Sequence, residues 1–331
     1  MKPSSTLAVM MREPGSRDVL ELVERPISAL GTGQALVGHK AIGVNYVDIQ
    51  HRSGRYPLPS YPHGIGMEAA GIVLDVAPDI SDIRVGDRVA YAAPPPGAYC
   101  GMRVVPADRL VPLPNGISFE VAAAILLKGL TAHYLVRGSH HVRPGDVVLV
   151  HAAAGGVGTL LTRWALSLGA SVIGTVGGIA KIEAAKANGC AHVIDYKASD
   201  FAAEVRRLTK GRGVDVVYDS VGATTFEGSL RSLAPKGLLV SYGTPSGPIP
   251  PFDIFRLNQL GSLFVTSPSI FTYVKERSEL LMRAAALFEA IDRGVLAIDI
   301  THRLPLSAAA EAHRLLESRA TTGALVLVPD A

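Results

Sequence analysis

Cysteine is scarce in this sequence of 331 residues, which contains only Cys100 and Cys190. Two cysteines cannot form a disulfide framework or a four-cysteine structural zinc site, so they indicate free thiols in a reducing cytosol. Dense charge is missing as well, because the formal net charge is +3 and no run of five lysines or arginines occurs. The composition therefore gives no reason to expect binding to a nucleic acid or to an anionic membrane surface.

Long apolar runs are also lacking. The apolar run before Arg12, LAVMM, is too short for the core of a signal peptide. The most apolar stretch, Val147 to Leu161, is interrupted by His151 and contains three glycines, which does not suit a membrane span. We therefore expect a cytoplasmic protein that does not cross a membrane.

Apolar residues as a whole are nevertheless abundant. Hydrophobic residues make up 48% of the chain and charged residues 18%, proportions typical of a well-buried globular protein. A chain of this length exceeds what one hydrophobic core usually holds, so we expect two domains. Short β-prone pieces, broken by Gly, Pro and Asp, fill the first hundred residues and predict a mainly β domain.

The pattern changes near residue 145, where short apolar runs begin to alternate with helical patterns. The six runs are DVVLVH, SVIGTV, HVIDY, VDVVYDS, GLLVSYG and SLFVTS. Strands that alternate with helices predict an α/β fold with a doubly wound, six-stranded parallel sheet of the Rossmann type. The elements after residue 270 do not continue this alternation. We therefore assign residues 1–125 and 271–331 to the β domain and residues 126–270 to the Rossmann domain.

The first strand-to-helix turn of this sheet reads HAAAGGVG, from His151 to Gly158. The dinucleotide fingerprint G-x-G-x-x-G has its tight-turn glycine replaced here by Ala153, which is tolerated if the backbone dihedral angles of Ala153 are ordinary. Unpaired N–H groups and the helix dipole favour an anion at such a turn, so we expect it to bind a pyrophosphate. The candidate residues are Gly155, Gly156, Val157 and Gly158.

The end of the second run distinguishes between the two nicotinamide cofactors. An NAD site places an acidic residue there to bind the ribose 2′-hydroxyl. Here Gly177 and Gly178 occupy that position and Lys181 follows, so a 2′-phosphate would meet a cation instead of a repelling carboxylate. We therefore predict NADPH as the cofactor. The alternative for Lys181 is an ordinary surface lysine on a helix.

Several separated motifs carry a resemblance that spans essentially the whole chain. They are AIGVNYVDIQHRSGRYPLP, GMEAAGIV, HAAAGGVG, WALSLGASVIGTVG and LESRATTG. In this order they resemble the zinc-free, ζ-crystallin-like quinone oxidoreductases of the medium-chain dehydrogenase/reductase superfamily. The resemblance implies a GroES-like β domain for catalysis beside the Rossmann domain, with NADPH and a quinone meeting in a cleft between the two.

The zinc alcohol dehydrogenases of the same superfamily have G-H-E-x-x-G where this sequence has GMEAAG. Met67 stands in place of a histidine ligand, and a thioether is a poor ligand for zinc. No cysteine precedes Cys100 to complete a site, so we expect no metal. Without a Lewis acid the acceptor must take up electrons readily, as a quinone does. The transfer can be of hydride or of single electrons.

The resemblance also assigns roles to particular residues. Asn45, Tyr46 and Tyr56 would act at the nicotinamide and substrate end, where they can donate a hydrogen bond to a quinone oxygen that gains negative charge. For Tyr56, packing within a proline-rich loop is the alternative, and for Asp48 we expect a structural role. Lys181 and Tyr196 would flank the adenosine 2′-phosphate. Further expected cofactor contacts are Thr131, Tyr134 and Arg319 by resemblance, Ser220, Tyr242 and Gly243 at the carboxyl ends of strands, and Ser269.

Two other functions remain open. A reductase of activated alkenes, such as enals and enones, would share every cofactor residue and differ only in the pocket lined by Tyr46, Tyr56 and residues 94–97. A non-catalytic NADPH-binding or AU-rich-RNA-binding protein is the alternative of another class. RNA binding uses a basic stripe with interleaved aromatic residues, which this sequence lacks.

The run GSLFVTSPSIF, from Gly261 to Phe271, is apolar and would leave an exposed edge at the end of the strand series. Pairing with the same run of a second copy would cover this edge. We therefore expect a homodimer whose sheet continues across the two-fold axis. The other expected partner is a small-molecule quinone, and neither a nucleic acid nor a membrane is expected.

Overall fold

Two compact units make up the protein in a computed structural model that describes residues 4–318 and 323–330. The first unit contains the chain up to Leu127, Arg277–Phe288 and the residues from Ile298 on. The second unit contains Lys128–Glu276 and Glu289–Ala297. The observed division differs from the sequence-based one in three stretches, because residues 126–127 belong to the first unit and residues 271–276 and 289–297 belong to the second.

The first unit is mainly β. Its N-terminal part contains β1 (Ser5–Met11), β2 (Leu20–Pro26), β3 (Gln34–Gly43), α1 (Tyr46–Arg52), β4 (His63–Gly64), β5 (Glu68–Val76), β6 (Arg88–Ala92), β7 (Met102–Pro106) and β8 (Val111–Pro112). A three-stranded sheet has the order β2-β1-β4, and β3, β5, β6 and β8 run side by side in a larger sheet, with β7 also paired to β3. Ala35, Ile42 and Val89 are among its fully buried side chains. The predicted β domain is confirmed.

A long helix, α2 (Phe119–Tyr134), follows and ends in a π-helical turn, Leu135–Ser139. The 21 residues Phe119–Ser139 are long and apolar enough to cross a membrane, by length and composition only, and 72% of the most apolar window is buried inside the protein. A buried helix in a protein core meets the same criteria of length and composition.

The second unit is a Rossmann sheet with helices between its strands. Its elements are β9 (Val147–Val150), α3 (Gly156–Ser167), β10 (Ser171–Val176), α4 (Ile182–Ala187), β11 (His192–Asp195), α5 (Phe201–Leu208), β12 (Val214–Asp219), α6 (Phe226–Ser232), β13 (Leu233–Ser241), α7 (Phe255–Gln259), β14 (Phe264–Thr266) and α8 (Ile270–Tyr273). The strand order is β11-β10-β9-β12-β13-β14, and every neighbouring pair is parallel. Strands buried on both faces need continuous apolar runs, as VVLV in β9 illustrates. The predicted six-stranded sheet is confirmed.

The chain then returns to the first unit. After α9 (Arg277–Asp292) come β15 (Ile300–Pro305), α10 (Ala309–Glu317) and β16 (Ala324–Val328). Strand β16 pairs antiparallel with β3 and parallel with β15, which completes a seven-stranded sheet. The short 3-10 turns are Arg17–Val19, Ala107–Arg109, Ile179–Lys181 and Leu306–Ala308. Strand β16 thus pairs with the β domain, whereas residues 271–276 and 289–297 belong to the second unit.

Two buried histidines in the first unit are held neutral. His39 donates through Nδ1 to the carbonyl oxygen of Cys100 at 2.7 Å and accepts at Nε2 from the hydroxyl of Tyr91 at 3.0 Å. His313 lies 3.2 Å from the hydroxyl of Tyr99 and accepts a hydrogen bond from Arg52 at 3.1 Å. Burial lowers the pKa of His39 from 6.5 to about 4, and burial with the nearby Arg52 lowers the pKa of His313 to about 3.

We expect the free energy of unfolding to fall as the pH drops from 6.5 towards 4. The unfolded chain takes up a proton at each of these histidines in this range, whereas the folded chain does not. Each histidine should add a slope of about 1.4 kcal/mol per pH unit. Urea denaturation at several pH values measures this slope. His39→Gln should reduce it by about that amount, whereas His192→Gln, at an exposed position, should not change it; equal slopes in both variants would contradict the assignment.

Candidate functional site

The turn between β9 and α3 is packed so closely that its glycines cannot carry side chains. A Cβ atom on Gly158 would lie 2.2 Å from the carbonyl oxygen of Ala152, and one on Gly156 would lie 3.0 Å from the side chain of Lys128. Gly155 caps the N-terminus of α3 with an extended backbone, φ −83°. Gly156, the first residue of α3, is exposed, so the N-terminus of this helix is accessible to an anion, which it would stabilise.

The tight part of this turn is made by Ala152. Its φ is +51°, a left-handed conformation that glycine adopts more readily. Ala153 is fully buried, and its N–H donates to the carbonyl oxygen of Thr175 at 3.0 Å. The φ of Ala153 is not positive, which is the condition under which an alanine was expected to be tolerated in the glycine position.

The loop after β10 brings together three of the expected residues. A Cβ atom on Gly177 would lie 2.6 Å from the hydroxyl of Tyr196, which follows the neighbouring strand β11. Gly178 has φ +148°, and the 3-10 turn Ile179–Lys181 follows it directly. Lys181 and Tyr196 are both half-buried. The loop thus offers a lysine and a tyrosine hydroxyl beside glycines, in the place where an NAD site has a carboxylate.

The remaining strand-end residues lie next to this turn and loop. Ser220 follows β12, and its hydroxyl donates to the carbonyl oxygen of His151 at 3.4 Å. Tyr242 and Gly243 follow β13, where a Cβ atom on Gly243 would lie 2.9 Å from the carbonyl oxygen of Ser220. The structure therefore brings Ser220 and Gly243 into direct contact at the carboxyl ends of β12 and β13.

Three other residues predicted to contact the cofactor differ in how far they are buried. Thr131 is half-buried on α2, and Ser269 is exposed just before α8. Tyr134 is only 2% exposed, and its ring stacks on that of Tyr273 with centroids 4.6 Å apart. Its ring therefore packs inside the second unit. Arg319 lies outside the described residues.

In the first unit, a buried carboxylate holds the side chain of Asn45. The Nδ2 atom of Asn45 donates to Oε2 of Glu68 at 2.7 Å, and the backbone N–H of Leu127 donates to Oε1 at 2.6 Å. Glu68 is fully buried, and a Cβ atom on Gly43 would lie 2.6 Å from Oε2. Sequence reasoning missed Glu68, although it follows Met67 in the GMEAAG motif.

Asp48 has the structural role that we expected. Its Oδ2 accepts from the backbone N–H of Asn45 at 2.8 Å and from the hydroxyl of Tyr99 at 3.0 Å. Burial and the Asp48 charge raise the pKa of Tyr99 above its usual range. Tyr46 is half-buried as the first residue of α1, and Tyr56 is 44% exposed beside the ring of His51.

The residue at the position of the zinc-ligating histidine is a buried methionine. Met67 is 1% exposed in the core of the first unit. Within residues 4–318 and 323–330, no group of three or more His, Cys, Asp or Glu side chains is placed to hold a metal ion.

Known proteins share both units. Residues 31–115 match the alcohol dehydrogenase GroES-like domain, and residues 156–286 match the family described as zinc-binding dehydrogenase. A quinone oxidoreductase of Pseudomonas aeruginosa is 45% identical over 95% of this chain and 97% of its own length. The 2-haloacrylate reductase of a Burkholderia species is 42% identical over 98% and 99%.

A solved structure shares the fold over the same length. The quinone oxidoreductase of Escherichia coli, crystallised with NADPH, has a TM-score of 0.95 and 43% identity, and the match covers 98% of this chain and all of that one. The GroES-like unit and the Rossmann unit together define a medium-chain dehydrogenase/reductase. Within that superfamily, the chain belongs to the zinc-free quinone oxidoreductases.

We expect Gly158→Ala to lower the free energy of unfolding by about 2 kcal/mol or more, because the new methyl group meets a backbone oxygen that cannot rotate away. Urea denaturation followed by circular dichroism measures the change. Gly116→Ala is the control, because no heavy atom lies within 4 Å of a Cβ there. Equal stability of the two variants would contradict the close packing at the turn.

Proposed function

We propose that this protein is an NADPH:quinone oxidoreductase. The observation that carries the proposal is the loop after β10, where Gly177 and Gly178 replace the acidic residue of NAD sites and Lys181 and Tyr196 stand beside them. The exposed N-terminus of α3 at Gly156 suits the pyrophosphate. The NADPH complex of the Escherichia coli relative supports the same cofactor.

Each part of the dinucleotide has residues suited to it. The pyrophosphate would lie at Gly155, Gly156, Val157 and Gly158, where α3 presents unpaired N–H groups. Lys181 would pair with the 2′-phosphate by charge, and Tyr196 would donate a hydrogen bond to it. When bound, the nicotinamide ring supplies the electrons and the hydride for reduction. Thr131, Ser220, Tyr242, Gly243 and Ser269 are proposed to contact the rest of the cofactor, with Arg319 from the undescribed part.

The residues proposed to act on the quinone are Asn45, Tyr46 and Tyr56. Glu68 binds one N–H of the Asn45 amide, which fixes the orientation of that side chain. A remaining amide or phenol proton can then donate to a quinone oxygen as its negative charge grows. Tyr56 is 44% exposed, so its hydroxyl is accessible to a ligand. A quinone needs only this modest assistance because it accepts electrons readily.

Reduction of an activated alkene is the second candidate, because the Burkholderia relative that is 42% identical is a 2-haloacrylate reductase. Steady-state assays with a benzoquinone, an α,β-unsaturated ketone and 2-chloroacrylate would separate the two. We expect the largest kcat/KM with the benzoquinone. A much larger value with either alkene would favour the second candidate.

We expect Lys181→Ala to raise the KM for NADPH roughly tenfold or more, because the 2′-phosphate loses a charge-assisted hydrogen bond. The kinetics with NADH, which has no 2′-phosphate, should stay unchanged. Lys186→Ala is a matched control, because this lysine is exposed on α4 and pairs with Glu183 at 2.9 Å. Equal losses with both cofactors would disprove the phosphate role of Lys181.

A homodimer is proposed through β14, which is the last strand of the six and whose Phe264 is 62% exposed. Pairing of two such edges would cover the unpaired backbone groups. We expect light scattering after size exclusion to give twice the 34.7 kDa of one chain. Phe264→Glu should shift the protein towards monomer, whereas Phe255→Glu, at a 58% exposed position on α7, should not. A monomeric wild type would refute the proposal.

A further inference from the structure

A chain of four buried polar side chains runs beneath the β9–α3 turn. His151 lies 2.7 Å from the hydroxyl of Thr175 through Nδ1 and 2.9 Å from the hydroxyl of Ser229 through Nε2. Ser229 in turn donates to Oδ2 of Asp219 at 2.8 Å. Thr175, His151 and Ser229 are 0% exposed and Asp219 is 1% exposed, so all four side chains are shielded from the surface.

The Asp219 carboxylate fixes the direction of the two hydrogen bonds that link His151, Ser229 and Asp219. Asp219 can only accept, so the single hydroxyl proton of Ser229 is used on it, and Ser229 must accept from His151. The Nε2 atom of His151 therefore carries a proton. Burial lowers the pKa of His151, which keeps Nδ1 unprotonated and makes Thr175 the donor to it. The order of donation is Thr175 to His151 to Ser229 to Asp219.

The chain connects the backbone segments that surround the expected pyrophosphate position. His151 directly precedes Ala152, the left-handed residue of the turn. Thr175 lies near the end of β10, and its carbonyl oxygen accepts from the N–H of Ala153 at 3.0 Å. Asp219 accepts from the backbone N–H groups of Val221 at 2.8 Å and Gly222 at 3.1 Å, in the loop after β12.

His151 is enclosed and cannot touch a substrate. Its ring is 0% exposed and lies edge-on against the ring of Phe201, with centroids 4.9 Å apart. A histidine, a serine and an aspartate in hydrogen-bonded sequence otherwise suggest nucleophilic catalysis, but here the hydroxyl of Ser229 is buried and donates to the carboxylate. The group can therefore act only through the backbone that it holds.

We propose that His151 is a positioning residue for dinucleotide binding, which holds the pyrophosphate turn in its left-handed conformation through Thr175 and Ser229. The proposal rests on the proposed NADPH function. The turn serves the part of the cofactor that NADPH and NADH share. Loss of His151 should therefore weaken both to the same extent, in contrast to loss of Lys181.

Two conservative variants separate the two ring contacts. His151→Gln keeps an N–H near the Nε2 position and loses the acceptor for Thr175, and His151→Asn keeps an acceptor near Nδ1 and loses the donor to Ser229. Calorimetric titration with NADPH and with NADH measures the Kd of each. We expect both Kd values to rise roughly tenfold in each variant, with the ratio of the two Kd values unchanged and kcat at saturating NADPH within about twofold of wild type.

Ser229→Ala and Ser232→Ala form a matched pair on α6. Both serines are 0% exposed, but Ser232 donates to the carbonyl oxygen of Gly228 and takes no part in the chain. Ser229→Ala should weaken the binding of both cofactors as His151→Asn does. The double variant with both substitutions should bind them no more weakly than either single variant. Ser232→Ala should leave both Kd values unchanged.

Thermal unfolding of each variant distinguishes positioning from general stability. Variants that are less stable but bind NADPH and NADH as tightly as wild type would overturn the proposal. An altered ratio of the two Kd values would also overturn it, because the effect would then lie at the 2′-phosphate. Failure of the wild type to bind NADPH would instead refute the proposed function itself.

Discussion

Helix α3 starts as close to the end of β9 as backbone atoms permit, and the cofactor site depends on this approach. A single methyl group on Gly158 would lie 2.2 Å from the carbonyl oxygen of Ala152. Gly156, the first residue of α3, stays exposed beside this contact, and an exposed helix N-terminus attracts an anion. Ala152 accepts a left-handed conformation to make the turn, and the buried polar chain from Thr175 to Asp219 lies directly beneath it.

Both units stabilise their functional loops with a buried carboxylate. Glu68 joins Asn45 to the backbone of Leu127, and Asp219 joins Ser229 to the loop after β12. A buried charge that loses its partners costs several kcal/mol, so these loops cannot shift without leaving a carboxylate unsatisfied. The loops that carry the side chains proposed to bind ligand are thus held by carboxylates that are buried from solvent. The buried contacts of these two carboxylates therefore set the positions of the loops that carry the proposed ligand-binding residues.

Local patterns in the sequence were sufficient for the fold and for the kind of cofactor. Apolar runs and helical spacing predicted the six strands and the return of the tail, and the residue types at Gly177, Gly178 and Lys181 predicted the preference for NADPH. Glu68 and His151 were missed as supports because their partners are distant in the chain, 59 residues from Glu68 to Leu127 and 78 from His151 to Ser229. Such pairs leave no periodic signal. The position of the left-handed residue was missed because it depends on packing against α3.

The sheet of the first unit is built from both ends of the chain. Strand β3 is flanked on one side by β16, and Leu306, Ala312 and Leu327 belong to the same core as Val37 and Ile42. During synthesis from the N-terminus, the second unit has its complete set of strands before the first unit does, because the second unit is almost continuous in sequence. The end of the β3 edge at Ile42 and Gly43 stays unpaired until β16 has been synthesised. Folding of the first unit is therefore delayed until β16 has been synthesised, and a product truncated before β16 exposes a sheet edge that invites aggregation.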